Sequence, residues 1–273
     1  MRDRITHTNS KGEVFDFVEL GIYINYNDLR DYEWEVMTDN NRITGFKRGI
    51  ATKTIPFVFA VDEKKATEIK NAFYEHFDID VLTQREGYFT INEYKYYCYV
   101  TKSLKTDYLV SKRHLIITLE IASDKNYWYK EKINTIDFGK QTEEKTDALK
   151  YAFTYPFVYR GNDVANVVNE SFVDSDAIIR IYGECVNPLV NIGDNVYQVN
   201  ETINANERIE INTRERTIFK CSNFGEKTNI FEKRNKQYNV FKPIPSGANA
   251  ISTNSKTKID VVLIERRSEP KWN

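Results

Sequence analysis

The sequence predicts a mainly β chain divided between two domains. At 273 residues it exceeds the roughly 100–200 residues of one ordinary domain. Its 18 Tyr and 16 Phe against 2 Met suit pleated, half-buried surfaces better than helices. Residues 178–192, IIRIYGECVNPLVNI, show the pattern most clearly. Ile179, Ile181 and Cys185 fall on one side of an extended chain and Arg180, Tyr182 and Glu184 on the other, the period of a strand with one buried face. Gly183 leaves a gap in the row. Asn187-Pro188 then ends the ladder, because proline has no N–H to donate.

The first half reads as short strands around one helix. Residues 15–24, 52–60, 94–101 and 114–121 are rich in Val, Ile, Tyr, Phe and Thr and are expected strands. Residues 62–77 place Ala66, Ile69, Phe73 and Phe77 on one helical stripe, with Asp62 suited to the N-cap. That stripe should cover the open side of a sheet or barrel. The stretch 26–51 is polar, carries Asn40-Asn41 near its middle, and reads as an extended arm or hairpin. The expected division is an N-terminal β domain over 1–135, a charged linker over 136–150 and a β-sandwich over 151–273. In the last of these, strands recur about every ten residues: 151–159, 178–185, 189–192, 195–200, 208–212, 217–222, 241–244 and 258–266.

The sequence offers little chemistry. His7, His76 and His114 stand singly, and each reads as structural. Asp174-Ser175-Asp176 and Glu143-Glu144 lack the ligand-rich spacing of a calcium loop and read as solvated turns. Cys98, Cys185 and Cys221 are far apart in apolar contexts and read as buried thiols. No phosphate loop, nucleotide fingerprint, nucleophile elbow or zinc motif occurs. The expectation is a non-enzyme with no catalytic, cofactor-binding or metal site. Lys plus Arg (39) nearly cancel Asp plus Glu (40), so no overall field draws nucleic acid or an anionic membrane. The first residues lack a signal-peptide core, and the longest apolar run, near 55–61, is far short of a bilayer span. A soluble chain made in a reducing cytoplasm is the expectation. Two basic-aromatic spots, Gly45-Phe46-Lys47-Arg48-Gly49 and Arg266-Arg267 with Trp272, read as strand ends or protein contacts.

Ile181-Tyr182-Gly183, Asn187-Pro188, Ile209-Glu210-Ile211-Asn212-Thr213, Gly247-Ala248-Asn249-Ala250-Ile251, Val261-Val262 and Arg266 leading to Trp272 occur in that order. Together they resemble the C-terminal domain of the distal tail protein (Dit) family of long-tailed phages and prophage tail-like particles. In the first half, 43–49 and Ala122-Ser123-Asp124-Lys125-Asn126-Tyr127-Trp128-Tyr129 resemble the family's glycine-and-basic stretch and the exit of its first domain. The resemblance covers roughly residues 15–272. Asn212 stands where many members carry Asp, and the linker is unusually charged.

The resemblance implies an N-terminal β-barrel or sandwich domain with one helix, related to tail-tube folds, and a C-terminal galectin-like β-sandwich. It implies a hexameric ring at the virion tail tip, with the major tail tube protein above, a tail-associated protein below and receptor-binding proteins on the outer domain. DNA would pass only in transit through the lumen, and no membrane is involved. A carbohydrate-binding module is the second reading. It requires a Trp or Tyr platform flanked by Asn, Arg and Glu on one sheet, which the sequence alone does not assemble.

Overall fold

A computed structural model describes residues 4–24, 26–61, 64–106, 114–139 and 165–272. The chain forms two compact units, Met1–Lys130 with Arg266–Asn273, and Glu131–Glu265. Residues 266–273, expected with the sandwich, therefore group with the first unit. Residues 140–150 of the expected linker and the expected strand 151–159 lie outside the described residues, as do Asp62 and Glu143-Glu144.

The first unit contains β1 (Ile5–Thr8), β2 (Val14–Asp16), β3 (Ile22–Ile24), β4 (Glu35–Asp39), β5 (Arg42–Lys47) and β6 (Ala51–Ala60). The helix α1 (Ala66–Thr83) follows, then β7 (Gly87–Ile91), β8 (Tyr94–Thr106), β9 (His114–Ser123) and the start of β10 (Trp128–Asp137). β2, β1 and β7 lie side by side in antiparallel array, and Gly87–Ile91 pair with Cys98–Tyr94 of β8. From Tyr99 onward β8 pairs instead with β9, which in turn pairs with β6 along its whole length, again antiparallel. The long strand β8 thus belongs to two ladders, with a register shift between Val100 and Lys102.

The core is mostly aromatic. Phe17, Phe57, Phe59, Phe73, Phe77 and Phe89 are buried in one cluster, and the Phe73 ring meets those of Phe57, Phe59 and Phe77 edge-on at 4.9–5.2 Å. Such edge-to-face pairs add about 0.5–1.5 kcal/mol each to burial. The expected stripe supplies Ala66, Phe73 and Phe77 to the buried face and Ile69 to its margin. The helix runs six residues past Phe77. Val81 and Leu82 of that extension are exposed while Asp80 is buried, so no apolar stripe announced it. The expected strand 15–24 is two strands, because the chain turns at Phe17–Gly21, with the Ile22 N–H donating to the Phe17 carbonyl at 2.8 Å.

The second unit is a sandwich of two antiparallel sheets. Its further strands are β11 (Ala165–Asn169), β12 (Asp176–Tyr182), β13 (Cys185–Val186), β14 (Leu189–Ile192), β15 (Asn195–Gln198), β16 (Thr202–Ile203) and β17 (Arg208–Asn212). They continue with β18 (Thr217–Cys221), β19 (Lys227–Asn229), β20 (Gly247–Thr253) and β21 (Lys258–Arg267). One sheet has the order β19-β18-β17-β12-β21, and the other β11-β20-β14-β15. Ile179, Ile181, Ile209, Ile211 and Ile259 from the first interleave with Val167, Val190, Ile192, Tyr197 and Ile251 from the second in one apolar core. The expected strand 241–244 is only an isolated bridge between Ile244 and Ser175.

The strand expected over 178–185 stops at Tyr182. A Cβ on Gly183 would lie 2.2 Å from the Asn204 carbonyl oxygen, so the backbones approach as only glycine permits. Cys185, beyond that point, lies on the short β13–β16 pair and is half-buried. Ile181 is fully buried. Ile181→Ala should therefore cost the second unit about 2–5 kcal/mol and Cys185→Ala less. Hydrogen exchange along Arg208–Asn212, the partner strand, is the measurement that ranks the two.

Candidate assembly surface

The two strands β4 and β5 form a sheet of their own, and every residue of both except Gly45 is exposed. The turn between them is Asn40-Asn41, with φ of 46° and 60°. A type I′ two-residue hairpin turn requires positive φ at both central positions, a conformation asparagine tolerates better than most residues. The expected arm is thus a hairpin. Its register is Glu35 with Lys47, Val36 with Phe46, Met37 with Gly45, Thr38 with Ile43 and Asp39 with Arg42, with a bulge between Met37 and Thr38.

That register gives the hairpin two unlike faces. Val36, Phe46, Thr38 and Ile43 lie together on one, while the Glu35–Lys47 and Asp39–Arg42 pairs lie on the other. Val36 is 52% exposed, Ile43 63% and Phe46 59%. Among the described residues, the only ring against Phe46 is Trp34, at 6.3 Å. A free two-stranded hairpin is marginal in water.

The root of the arm is firmly held. Lys53 of β6 is buried, and its ammonium donates to the Asp28 carbonyl at 2.9 Å and to the Asp31 carbonyl. Burial lowers the Lys53 pKa, and the neighbouring Asp28 and Asp31 raise it in opposition. The Thr54 N–H donates to Asp28 Oδ1 at 2.6 Å, and Leu29 is fully buried in the core. These contacts fold 26–34 down over β6. At the other leg, the Arg48 guanidinium lies over Trp34 at 4.4 Å, Tyr127 at 4.6 Å and Tyr32 at 5.0 Å, and donates to the Asn126 carbonyl at 2.7 Å. Burial lowers its pKa from the ordinary value. Between these legs is a surface recess of about 390 Å³ lined by Asp31, Glu33, Glu35, Ile50 and Lys53 among others.

The two basic-aromatic spots resolve differently. Phe46, Lys47 and Arg48 belong to the arm just described, with Lys47 paired to Glu35 at 2.9 Å. Arg266, Arg267 and Trp272 do not form one patch. Arg266 stacks on Tyr127 at 4.7 Å, the Arg267 Nε donates to the Glu269 carbonyl at 3.2 Å, and Trp272 lies under Arg30 at 3.9 Å. Arg30 also donates to the Pro270 carbonyl at 2.8 Å. The tail 266–272 is thus strapped onto the first unit.

Two of the three histidines are not single. His7 of β1 and His76 of α1 are both buried, with His7 Nδ1 2.9 Å from His76 Nε2. The Asn9 amide is 3.3 Å from His76 Nδ1 and donates there, so His76 carries its proton on Nε2 and gives it to His7. His7 Nε2–H then faces Asp80, 3.9 Å away. A Cβ on Gly87 would lie 2.2 Å from Asp80 and 2.6 Å from the His7 ring, so a side chain there would break the cluster. The separation of 69 positions along the chain hid this pair from any spacing argument. Among the described residues no group of three His, Cys, Asp or Glu is placed to hold a metal ion, and no helix is long and apolar enough to cross a membrane. Cys98 and Cys221 are buried and Cys185 half-buried, all as free thiols.

On the second unit, Arg180, Tyr182 and Glu210 share the outer face of β12 and β17. They are engaged with one another and with β21. Arg180 Nε pairs with Glu210 at 3.0 Å, and the Tyr182 hydroxyl donates to Asp260 at 2.7 Å. Across from Glu210 on the same face lies the half-buried Phe219.

No family model and no curated protein matches the chain. Solved structures do. The Dit protein of phage SPP1, described as a paradigm of the hub adsorption apparatus in phages infecting Gram-positive hosts, aligns with a TM-score of 0.58 at 12% identity over 96% of this chain and 99% of its own. A chain of the phage P2 baseplate in its activated conformation with calcium aligns at 0.63 and 10% identity, over 99% and 100%. The strontium form of that baseplate gives the same values. The chain shares the mainly β fold of these structures.

The histidine pair makes stability depend on pH. Burial lowers the pKa of His7 well below its ordinary value and that of His76 to about 4. Each is about 6.5 when unfolded, so from pH 6.5 downward the unfolded chain takes up protons that the folded chain refuses, and stability falls. Asp80 has the opposite sign, since burial raises its pKa, and Glu13 favours protonated His76 slightly. The net expectation for His76 is a loss on the order of 2 kcal/mol between pH 7 and pH 5. His76→Phe should flatten that slope, as read by urea unfolding of the first unit at the two pH values.

Proposed function

We propose that this chain is a distal tail protein, a ring-forming hub at the tip of a phage or prophage-derived tail. The likeness to the SPP1 hub and the P2 baseplate over nearly the whole chain supports that reading. In it, the first unit forms a hexameric ring between the tail tube and the tail-associated protein, and the second unit projects for receptor-binding proteins. DNA passes only through the lumen. The protein acts by geometry and carries no catalytic step.

The observation that carries the reading within this chain is the arm. A cyclic ring needs one heterologous contact repeated around an axis, in which a surface of one copy meets a different surface of the next. An exposed hairpin with an apolar face is such a surface. Val36, Ile43 and Phe46 are about half exposed, so covering them would contribute on the order of 1 kcal/mol each.

Removing all of 26–51 would also remove Leu29 from the core, so the test must be narrower. A chain in which 36–46 is replaced by a short glycine turn should fold and remain monomeric where the native chain forms closed rings. Light scattering across concentrations reads the difference, and rings formed by the shortened chain would refute the role of the arm.

A further inference from the structure

We infer that the tip of the arm seats in the recess at the root of the arm of a second copy of this chain, with Arg42 meeting Asp31 and Glu33; this rests on the ring reading above. The charges at the two ends are complementary, although Asp31 also acts on the buried Lys53 from a distance. Arg42, beside the turn, faces Asp39 across the hairpin but makes no ion pair among the described residues. At the root, Asp31 and Glu33 line the recess, and neither carboxylate is ion-paired among the described residues. The other acids there are engaged: Glu35 pairs with Lys47, and Asp28 accepts from the Thr54 N–H.

The apolar parts match as well. Ile43 follows Arg42 on the tip and is 63% exposed, while Ile50 on the recess wall is 77% exposed. A plug carrying one cation and one branched aliphatic side chain therefore meets a socket whose lining holds Asp28, Asp31, Glu33 and Glu35 against Arg48 and Lys53, an acidic excess, together with an isoleucine.

Plug and socket cannot meet within one chain. β4 spans five residues between root and turn, which at about 3.4 Å per residue sets the tip roughly 17 Å from its own recess. The antiparallel pairing of β4 with β5 holds tip and root apart. The contact is consequently intermolecular and head-to-tail, each copy giving its tip to one neighbour and its recess to the other. Such a contact closes into a ring when its rotation divides the circle.

The charges can be exchanged to test this. Arg42→Glu alone should give monomers, because an acidic tip meets an acidic recess. Asp31→Arg with Glu33→Arg should also give monomers, because a basic tip meets a basic recess. An equimolar mixture of the two variants restores opposite charges at every junction and should regain the native oligomer by light scattering and mass photometry. Restoration on mixing Arg42→Glu with the native chain, but not with the recess variant, would place tip against tip and overturn the head-to-tail seating.

Charge variants that assemble like the native chain, a mixture that stays monomeric, or a native chain that is monomeric at every attainable concentration would also overturn it. The chain shortened over 36–46 separates the two levels. If it loses assembly while the charge variants keep it, the arm is the contact but its seat lies elsewhere. If it keeps assembly, the ring role of the arm fails with the seating.

Discussion

Every strand in this protein must place an alternating row of side chains somewhere, and that constraint accounts for nearly all of its architecture. β6, β8 and β9 send theirs into an aromatic cluster capped by α1, and β12, β17 and β21 send theirs against β14 and β20. Where the rule is met, the strand is locked. The hairpin β4–β5 has the same alternation with no surface beneath it. Among the described strands this amphipathic hairpin is the long pair left open, and the proposed assembly contact is placed there for that reason.

The way the arm is rooted gives this its physical sense. A buried lysine is costly unless its ammonium is hydrogen-bonded, and Lys53 meets that need with backbone carbonyls of the segment leading into the arm. Arg48 closes the other leg by lying among three aromatic rings. Lys53 is therefore hydrogen-bonded at the root, whereas Arg42 and Glu33 are exposed. Rigidity at the root lowers the ordering entropy that association would otherwise have to overcome.

Several polar groups hold the fold: His7 and His76 bond to each other between β1 and α1, and Tyr182, Asp260, Arg180 and Glu210 bond across the outer face of a sheet. Low-pKa histidines buried in this way tie helix to strand through neutral hydrogen bonds.

The sequence by itself determined the strand-rich class, the position of the one helix stripe, the Asn40-Asn41 hairpin and the core row through Ile179 and Ile181, because each is a local periodicity or a local turn preference. It also carried the ordered segments that resemble tail proteins. Tertiary structure alone decided what depends on close approach between distant parts of the chain. Gly183 ends its strand because the Asn204 carbonyl crowds it, the helix extends because Asp80 finds His7 and Ser10 at the core margin, and Trp272 joins Arg30 rather than its neighbours Arg266 and Arg267. Periodicity along one segment encodes which face is apolar; it carries no information on which remote residue will lie against that face, and that pairing is set by packing.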